Sequence, residues 1–204
     1  LREYEATTLN DLDAVLPVTP EDERDYRQLG AKVPLHVSPV GIASGECPDR
    51  SGQGDPLTLL FLGSLDWTPN VDALRWFLES VWPLVRRAVP GARFHVGGSN
   101  PPRGLGDALR VEGARFLGRV KDPREFLASG AAMVVPLLAG GGVRVKILEA
   151  MALGVPVVST RLGATGIDAR DGEEILLADG PDLLAGACAA LLADRTRAVS
   201  IGRA

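Results

Sequence analysis

Residues Leu57–Leu62 form an almost unbroken apolar run. A strand with this pattern has to be buried on both faces, as the strands of parallel sheets are. Further apolar runs follow at 131–135 and 155–158, and stretches with helical spacing of apolar residues lie between them. A helix is predicted from Pro69, and Pro83 is expected to kink it because proline lacks an N–H donor. The alternation predicts an α/β fold, a parallel sheet with helices on both faces.

The first 56 residues have a less regular pattern. Thr19 followed by Pro20 predicts the start of a helix that ends near Gly30. Short strands are predicted at 14–18 and 35–38. Where these patterns change, we place the boundaries of a leading segment (1–42), a linker rich in Gly, Ser, Pro and Asp (43–56), and a main domain (57–204).

The composition argues against several classes of protein. A formal net charge of −4 argues against nonspecific binding of nucleic acid. No window approaches the ~18 unbroken apolar residues of a membrane span. Cys47 and Cys188 have no metal-ligand spacing, which indicates a reducing, cytoplasmic setting. Asp11 and Asp13 match the letters of a D-x-D metal motif but lie in the irregular leading segment, and we expect no metal there.

Residues 136–158 are predicted to form a strand, a glycine loop, a helix, a tight turn and another strand. Arg144 and Lys146 are expected in the first turn of that helix, where the helix dipole disfavours cations. A bound anion would explain two cations at this place. Glu149 is expected to be buried among apolar neighbours, where a carboxylate needs hydrogen-bonding partners such as the hydroxyl groups of a ligand.

The loop after the first strand excludes two familiar phosphate motifs. A dinucleotide-binding fold would place G-x-G-x-x-G directly after that strand, and residues 63–69 do not match it. The Walker A pattern is absent as well. The glycine-rich candidate lies instead after a late strand, at Gly140–Gly142.

Residues 57–194 resemble the carboxyl-terminal, nucleotide-sugar-binding domain of glycosyltransferase family 4. This is a large retaining group with two Rossmann-like domains, the GT-B architecture. The motifs that carry the resemblance are residues 61–63, 116–120, 141–152, 154–158 and 171–172. Residues 1–42 resemble the last elements of the family's amino-terminal, acceptor-binding domain. The chain does not begin with methionine, and we expect it to be part of a longer protein.

The resemblance implies roles for residues in the late helix and its glycine loop. Glu149 matches the second glutamate of the family's paired-glutamate motif, which accepts hydrogen bonds from the ribose hydroxyls. Backbone amides of the preceding segment match those that face the diphosphate and the sugar. These amides belong to Gly141, Gly142, Val143 and Arg144.

Two earlier loops are implied in donor binding in the same way. Gly63 and Ser64 match the loop that faces the diphosphate. Arg119 and Val120 match the place where backbone groups hold the edge of the base.

The sequence departs from the family pattern at three positions. The first glutamate of the pair is replaced by Gly141, the basic residue after the first glycine by Ser64, and a downstream lysine falls near Asn70. The usual cations for the diphosphate are therefore missing from the first loop. Our hypothesis is that Arg144 and Lys146 supply that charge from the helix start.

The resemblance implies a retaining, hexosyl-type glycosyltransferase of polysaccharide biosynthesis, of which this chain is the donor-binding half. It would use a nucleotide-diphosphate sugar, no cofactor and no essential metal, and transfer the sugar to an acceptor glycan or a lipid-linked sugar. We expect a cytoplasmic monomer, held at the inner face of the membrane through the missing domain. The chain alone should bind the nucleotide weakly and turn nothing over, since no residue in it is a convincing catalytic base.

Two alternatives stay open. The first is a non-catalytic binding module of the same fold, which Gly141 and the altered first loop favour. The second is a sugar-nucleotide epimerase, which shares the Gly-x-Pro-Val pattern and a late glutamate but has a different phosphate loop.

Overall fold

The computed structural model of the chain describes residues 2–42 and 52–204. They fall into two compact units, one up to residue 42 and one after it. Most of the predicted linker, residues 43–51, lies outside the described residues. The first strand of the second unit already begins at Asp55, so the linker prediction, which ran to residue 56, extended two residues too far.

The first unit contains helix α1 (Arg2–Thr8), a 3-10 turn (Leu9–Asp11) and helix α2 (Pro20–Gln28). The predicted start of α2 is confirmed. The Thr19 hydroxyl accepts a hydrogen bond from the Asp22 amide at 3.0 Å, and the Asp22 carboxylate accepts one from the Thr19 amide at 3.2 Å. This reciprocal capping box satisfies two backbone donors that the helix cannot pair internally.

The two strands predicted in the first unit are wrong as strands. They reduce to a single parallel bridge between Val15 and Leu35. Pro17 and Pro34 accept hydrogen bonds through their carbonyl groups. Neither can donate one, and a ladder is therefore interrupted at each of them.

The second unit is a six-stranded, all-parallel sheet, and helices connect each of the first four strands to the next. The strands are β1 (Asp55–Leu62), β2 (Arg93–Gly97), β3 (Ala114–Gly118), β4 (Gly130–Val135), β5 (Val157–Ser159) and β6 (Leu176–Leu177). The helices are α3 (Thr68–Trp76), α4 (Trp82–Ala88), α5 (Leu105–Ala108), α6 (Pro123–Leu127), α7 (Val145–Ala152), α8 (Pro181–Ala193) and α9 (Arg195–Arg203).

The strand order is β3-β2-β1-β4-β5-β6. The chain builds outward from β1 in one direction and then returns to place β4 on the other side of β1. The loops that leave the carboxyl ends of β1 and β4 therefore diverge, and they leave a crevice between them. Ligands of open parallel sheets bind at such a reversal of strand order.

The sheet is buried on both faces, as the apolar run in β1 predicts. Leu59 and Phe61 belong to a core with α3, α4, α8 and α9. Leu60 and Leu62 belong to a second core with α6 and α7. Alternate residues of the strand thus enter different cores, which explains why its second half, Leu59–Leu62, is apolar throughout.

The predicted irregularity at Pro83 takes the form of a π-helical turn. Residues Phe77–Val81 form this turn between α3 and α4, and Pro83 occupies the first turn of α4. A wider turn before the proline avoids the clash between its ring and the carbonyl group of the preceding turn. The helix therefore continues through residue 88 instead of breaking.

Helix α9 was not predicted. It begins where the Asp194 carboxylate accepts a hydrogen bond from the Arg197 amide at 3.0 Å, and it buries only Ala198 and Ile201. Two buried positions are too few to produce a recognisable helical period of apolar residues, and the helix was therefore missed. Among the described residues, no helix combines the length and apolar character needed to cross a bilayer.

The packing of α9 depends on a close backbone approach at Gly202. A Cβ atom at this position would lie 2.1 Å from the carbonyl oxygen of Gly154. We expect Gly202→Ala to lower the free energy of unfolding by about 1–3 kcal/mol, because the helix would have to move away from the α7–β5 turn. Chemical denaturation measures this difference.

Gly186→Ala is the matched control. Gly186 lies in α8, and a Cβ there would meet nothing within 4 Å. Alanine should leave stability unchanged or raise it by about 0.5–1 kcal/mol, because it restricts the unfolded chain. Equal stability of the two variants would contradict the proposed packing.

Candidate functional site

A cavity of about 240 Å³ lies at the carboxyl ends of β1 and β4, where the strand order reverses. The ends of these strands, the loop after β1 and the segment that enters α7 form its walls. The lining residues are Phe61, Leu62, Gly63, Trp67, Asn70, Met133, Val134, Val135, Leu137, Val143, Arg144, Val145 and Lys146. Among the described residues, this lining has two basic side chains and no acidic one.

The glycine loop leads into α7 through two left-handed residues. Gly140 has a φ of +103° and Gly142 a φ of +84°, values that side chains disfavour. Helix α7 begins at Val145, and Arg144 is its N-cap residue, with no side-chain cap hydrogen bond. The prediction that Arg144 lies in the first turn was therefore wrong by one residue, whereas Lys146 does lie there.

The Arg144 side chain returns to the loop that precedes it. Its Nη1 donates hydrogen bonds to the carbonyl oxygens of Gly141 and Gly142, the second at 2.8 Å. Its guanidinium carbon lies 5.0 Å from the centre of the Trp67 ring, in a cation–π contact. Burial lowers the pKa of the Arg144 guanidinium from its ordinary value. Arginine nevertheless stays charged at neutral pH.

Two nitrogens of Arg144 are left without a partner. Nε and Nη2 are shielded from solvent and make no hydrogen bond within the described part of the chain. A buried donor without an acceptor costs about 1–3 kcal/mol, and more when it is charged. An acceptor supplied by a ligand would remove this cost.

Lys146 is half-buried in the first turn of α7 and lines the cavity. Burial lowers the pKa of its ammonium group, and the charge of Glu149 offsets part of this effect. The two side chains form no ion pair among those present in residues 2–42 and 52–204. The simplest alternative to a binding role, a surface salt bridge between them, is therefore not formed.

Glu149 is less buried than predicted. It is half-exposed and does not line the cavity, because α7 turns Ile147 and Ala150 into the core instead. The i, i+3 spacing places Glu149 one turn beyond Lys146 on the same side of the helix. The carboxylate has no hydrogen bond to any described residue, so it is free to accept one from a ligand.

The first loop combines a cavity residue with a hydrogen-bonded turn. Gly63 lines the cavity, and its amide donates to the Gly97 carbonyl at 3.1 Å. Ser64 does not line the cavity, and its hydroxyl donates a hydrogen bond to the Asp66 carboxylate at 2.6 Å. Hydrogen bonds from Ser64 and Asn100 lower the pKa of the Asp66 carboxyl.

Arg119 and Val120 lie in the loop after β3, two strands away from β1. Neither lines the cavity. Val120 packs at the end of β2, where a Cβ on Gly97 would lie 2.4 Å from its Cγ2 atom. The loop is thus at the same edge of the sheet but outside the described pocket.

Of the ten predicted donor-binding residues, the structure brings four together around the cavity. These are Gly63, Val143, Arg144 and Lys146. The other six lie outside its lining: Ser64, Arg119, Val120, Gly141, Gly142 and Glu149. No cluster of three or more potential metal ligands occurs among the described residues, which include Asp11 and Asp13.

Two residues of the cavity lining, Trp67 and Asn70, were not predicted as site residues from the sequence. Trp67 is 36% exposed and lies against Arg144. Asn70 donates from its side-chain amide to the Ser64 carbonyl at 2.8 Å. Both lie at the start of α3, directly after the first loop. Their place after the first strand was the only feature of the sequence that could have indicated a role in the site.

Comparison with known families agrees with this geometry. Residues 56–194 match the family described as glycosyl transferases group 1. The chain belongs to this family. The match covers the whole described cavity lining and all of the sheet except Asp55, including both sides of the reversal.

The relatives of this glycosyltransferase chain are distant and longer. An uncharacterized 44.6 kDa protein in the cps region of Klebsiella pneumoniae is 25% identical over 81% of the chain and 44% of its own length. TarM of S. aureus superposes with a TM-score of 0.82 at 16% identity, over 98% of this chain and 40% of TarM. HepE from Anabaena, solved with UDP and glucose, superposes with a TM-score of 0.77 at 15% identity. The superposition covers 99% of this chain and 60% of HepE. The fold is thus shared with GT-B enzymes, and the chain spans less than half of the curated relative.

The contact between Trp67 and the glycine loop makes Gly140 hard to replace. A Cβ at Gly140 would lie 2.8 Å from the Trp67 ring and require a side chain at a φ of +103°. We expect Gly140→Ala to lower the free energy of unfolding by about 1–3 kcal/mol and to change the fluorescence of Trp67.

Gly141→Ala is the control for this prediction. A Cβ at Gly141 would meet nothing within 4 Å. Its free energy of unfolding should stay within about 0.5 kcal/mol of the parent. If both variants lost the same stability, the stacking of Trp67 on this loop would be disproved.

Proposed function

We propose that this chain is the donor-binding half of a glycosyltransferase that moves a sugar from a nucleotide-diphosphate sugar to an acceptor hydroxyl. The observation that carries the proposal is the cavity at the strand-order reversal, which has two basic side chains and the start of α7 in its lining. Family membership supports the same reaction class. Structural neighbours that contain UDP, such as HepE, suggest a uridine nucleotide as the first one to test.

The electrostatics of the cavity suit a diphosphate leaving group. The unpaired amides at the start of α7 and the positive end of its dipole favour an anion. Lys146 and Arg144 add two charges, and no carboxylate of the described lining opposes them. When the bond between the sugar and the diphosphate breaks, charge develops on the leaving oxygen, and this fixed arrangement stabilises it.

Glu149 is proposed to bind the ribose. A carboxylate can accept hydrogen bonds from two vicinal hydroxyls at once. Its half-exposed position one turn beyond Lys146 suits a group that extends past the diphosphate. Arg119, Val120 and Ser64 are proposed to contact the base and the diphosphate through backbone atoms of their loops.

The finer aspects of the reaction are proposals from the family. They are retention at the anomeric carbon, a hexosyl donor, and no essential metal or cofactor. An acceptor glycan or lipid-linked sugar would be held mainly by an acceptor domain, of which residues 1–42 would be the last part. The Klebsiella relative in a cps region supports polysaccharide synthesis, and we propose a cytoplasmic monomer at the inner face of the membrane.

A thermal-shift panel of nucleoside diphosphates and sugar nucleotides tests the donor site. Stabilisation by one base and not by others would identify the donor class, because a ligand that binds only the folded state raises the melting temperature. We expect the uridine compounds to give the largest shift. No shift with any nucleotide at millimolar concentration would overturn the donor-binding proposal.

A non-catalytic binding module is the second candidate. Gly141 in place of a glutamate and the position of Glu149 outside the cavity lining favour it. The two functions can be distinguished by measuring whether the whole protein, with its acceptor domain, turns over a sugar nucleotide. Sugar transfer would exclude the module, and nucleotide binding without transfer or hydrolysis would support it.

Removal of the Glu149 charge should weaken nucleotide binding selectively. Glu149→Gln keeps the shape of the side chain but loses one acceptor and the charge. We expect roughly tenfold weaker binding of UDP and no change for pyrophosphate, which has no ribose. Calorimetry measures both, and Glu79→Gln, at an exposed position of the π turn, is the control. Equal loss for both ligands would disprove the ribose contact.

Reversal of either charge at the start of α7 should weaken diphosphate binding. Arg144→Glu and Lys146→Glu are each expected to reduce the affinity for UDP at least about tenfold, because each removes a charge-assisted hydrogen bond. Arg87→Glu, at an exposed position of α4, should have no effect. Unchanged affinity in both site variants, measured by calorimetry, would contradict the hypothesis that these residues supply the charge.

The pH dependence of binding provides a check on Lys146. Because burial lowers its pKa, the ammonium group of the free protein loses its proton at a lower pH than an ordinary lysine does. Affinity for UDP should therefore decline as the pH rises through that lowered pKa. Lys146→Arg, which stays charged, should bind without this decline.

A further inference from the structure

Trp67 joins the two loops that diverge at the strand-order reversal. It precedes α3 in the loop after β1, whereas its contacts, Gly140 and Arg144, follow β4. The tryptophan lines the cavity and keeps 36% of its surface exposed. A large aromatic side chain that is neither fully buried nor needed for the sheet requires another explanation.

The guanidinium of Arg144 has one nitrogen hydrogen-bonded to the glycine loop and one shielded edge without a hydrogen-bond partner among the described residues. Nη1 donates to two carbonyl oxygens of the glycine loop. Nε and Nη2 lie on the same side of the planar group and have no hydrogen-bond partner among the described residues. This pair of donors is the edge with which arginine binds a carboxylate or a phosphate through two parallel hydrogen bonds.

An aromatic ring holds a guanidinium differently from an acidic side chain. A carboxylate would occupy the same two donors and cancel the charge. A π face attracts the cation and restricts its orientation without accepting the N–H bonds in the plane. The described lining of the cavity has Trp67 and no acid, so Arg144 keeps its charge and its Nε–Nη2 edge keeps both donors unpaired.

We propose that Trp67 is a positioning residue that holds the Arg144 guanidinium so that its Nε–Nη2 edge binds an oxyanion of the donor in bidentate fashion. The oxyanion is a phosphate of the diphosphate or a carboxylate on the transferred sugar. This inference rests on the proposed function for the identity of the ligand. The arrangement of Trp67, Arg144 and the glycine loop is independent of that function.

The experiment compares variants that keep the charge of Arg144 but change its geometry. Arg144→Lys retains a cation and loses the planar edge. Trp67→Leu retains an apolar cover and loses the π face, and Trp67→Phe restores a smaller one. Calorimetry on the whole chain would use four probes: inorganic pyrophosphate, UDP, UDP-glucose and UDP-glucuronic acid. The controls are Arg87→Lys in α4 and Trp76→Phe in α3, neither of which lines the cavity.

We expect Arg144→Lys to weaken binding of the oxyanion about tenfold although the net charge is unchanged. Trp67→Leu should weaken it about fivefold, and Trp67→Phe should recover most of that loss. An effect with pyrophosphate and all three nucleotides would identify the diphosphate as the oxyanion. An effect confined to UDP-glucuronic acid would identify a carboxylate on the sugar.

Fluorescence separates positioning from a general loss of structure. A ligand that binds at the Arg144 edge should change the emission of Trp67, and this change should persist in Trp76→Phe and disappear in Trp67→Phe. Melting curves of each variant without ligand show whether it is folded. If Trp67→Leu proves unfolded, Trp67→Met, which is also apolar and also lacks the π face, takes its place.

The outcomes distinguish this inference from the proposed function. If the parent chain binds UDP and both Arg144→Lys and Trp67→Leu bind it as tightly, along with the other probes, the inference is overturned and the function stands. If pyrophosphate binds with the expected dependence on both residues but no nucleotide does, the inference stands and the donor-site proposal falls. If Trp67→Leu and Trp67→Phe bound the oxyanion equally, and both more weakly than the parent chain, the role of the π face would be overturned.

Discussion

The pairing of β1 with β4 is the constraint on which the rest of the structure depends. Both strands are buried on two faces, and their side chains enter two separate cores. Because β2 and β3 already occupy one side of β1, β4 has to pair on the other. The loops after β1 and β4 then face each other across a crevice. The cavity, the glycine loop and the start of α7 all take their positions from this pairing.

The site holds positive charge in a way that costs stability. Lys146 and Arg144 are partly buried, and burial lowers the pKa of both. The described cavity lining has no acid to offset them, and two donors of Arg144 have no partner. Such an arrangement is destabilising unless an anion binds. The burial of these cations is therefore better explained by a ligand than by the needs of the fold.

Regular elements were predictable where one physical rule dominates. The strand at Leu57–Leu62 and the start of the helix after Thr19 were predicted from their patterns, and the structure confirms both. Helix α9 was missed because it buries too few apolar residues to produce a period. The strands at 14–18 and 35–38 were overpredicted because short apolar runs say nothing about whether a partner strand can form a ladder across proline.

The sequence by itself determined the class of fold and the family, because strand burial, helix periodicity and the residue 141–152 motif are local properties. It also led us to predict an anion site beside Arg144 and Lys146. Only the tertiary structure decided which residues share the cavity. It brought Trp67 beside Arg144 and left Glu149 half-exposed outside the lining. Both features depend on how the loops after β1 and β4 meet. These loops are far apart along the chain, and a contact between them leaves no periodic pattern in the sequence of either loop.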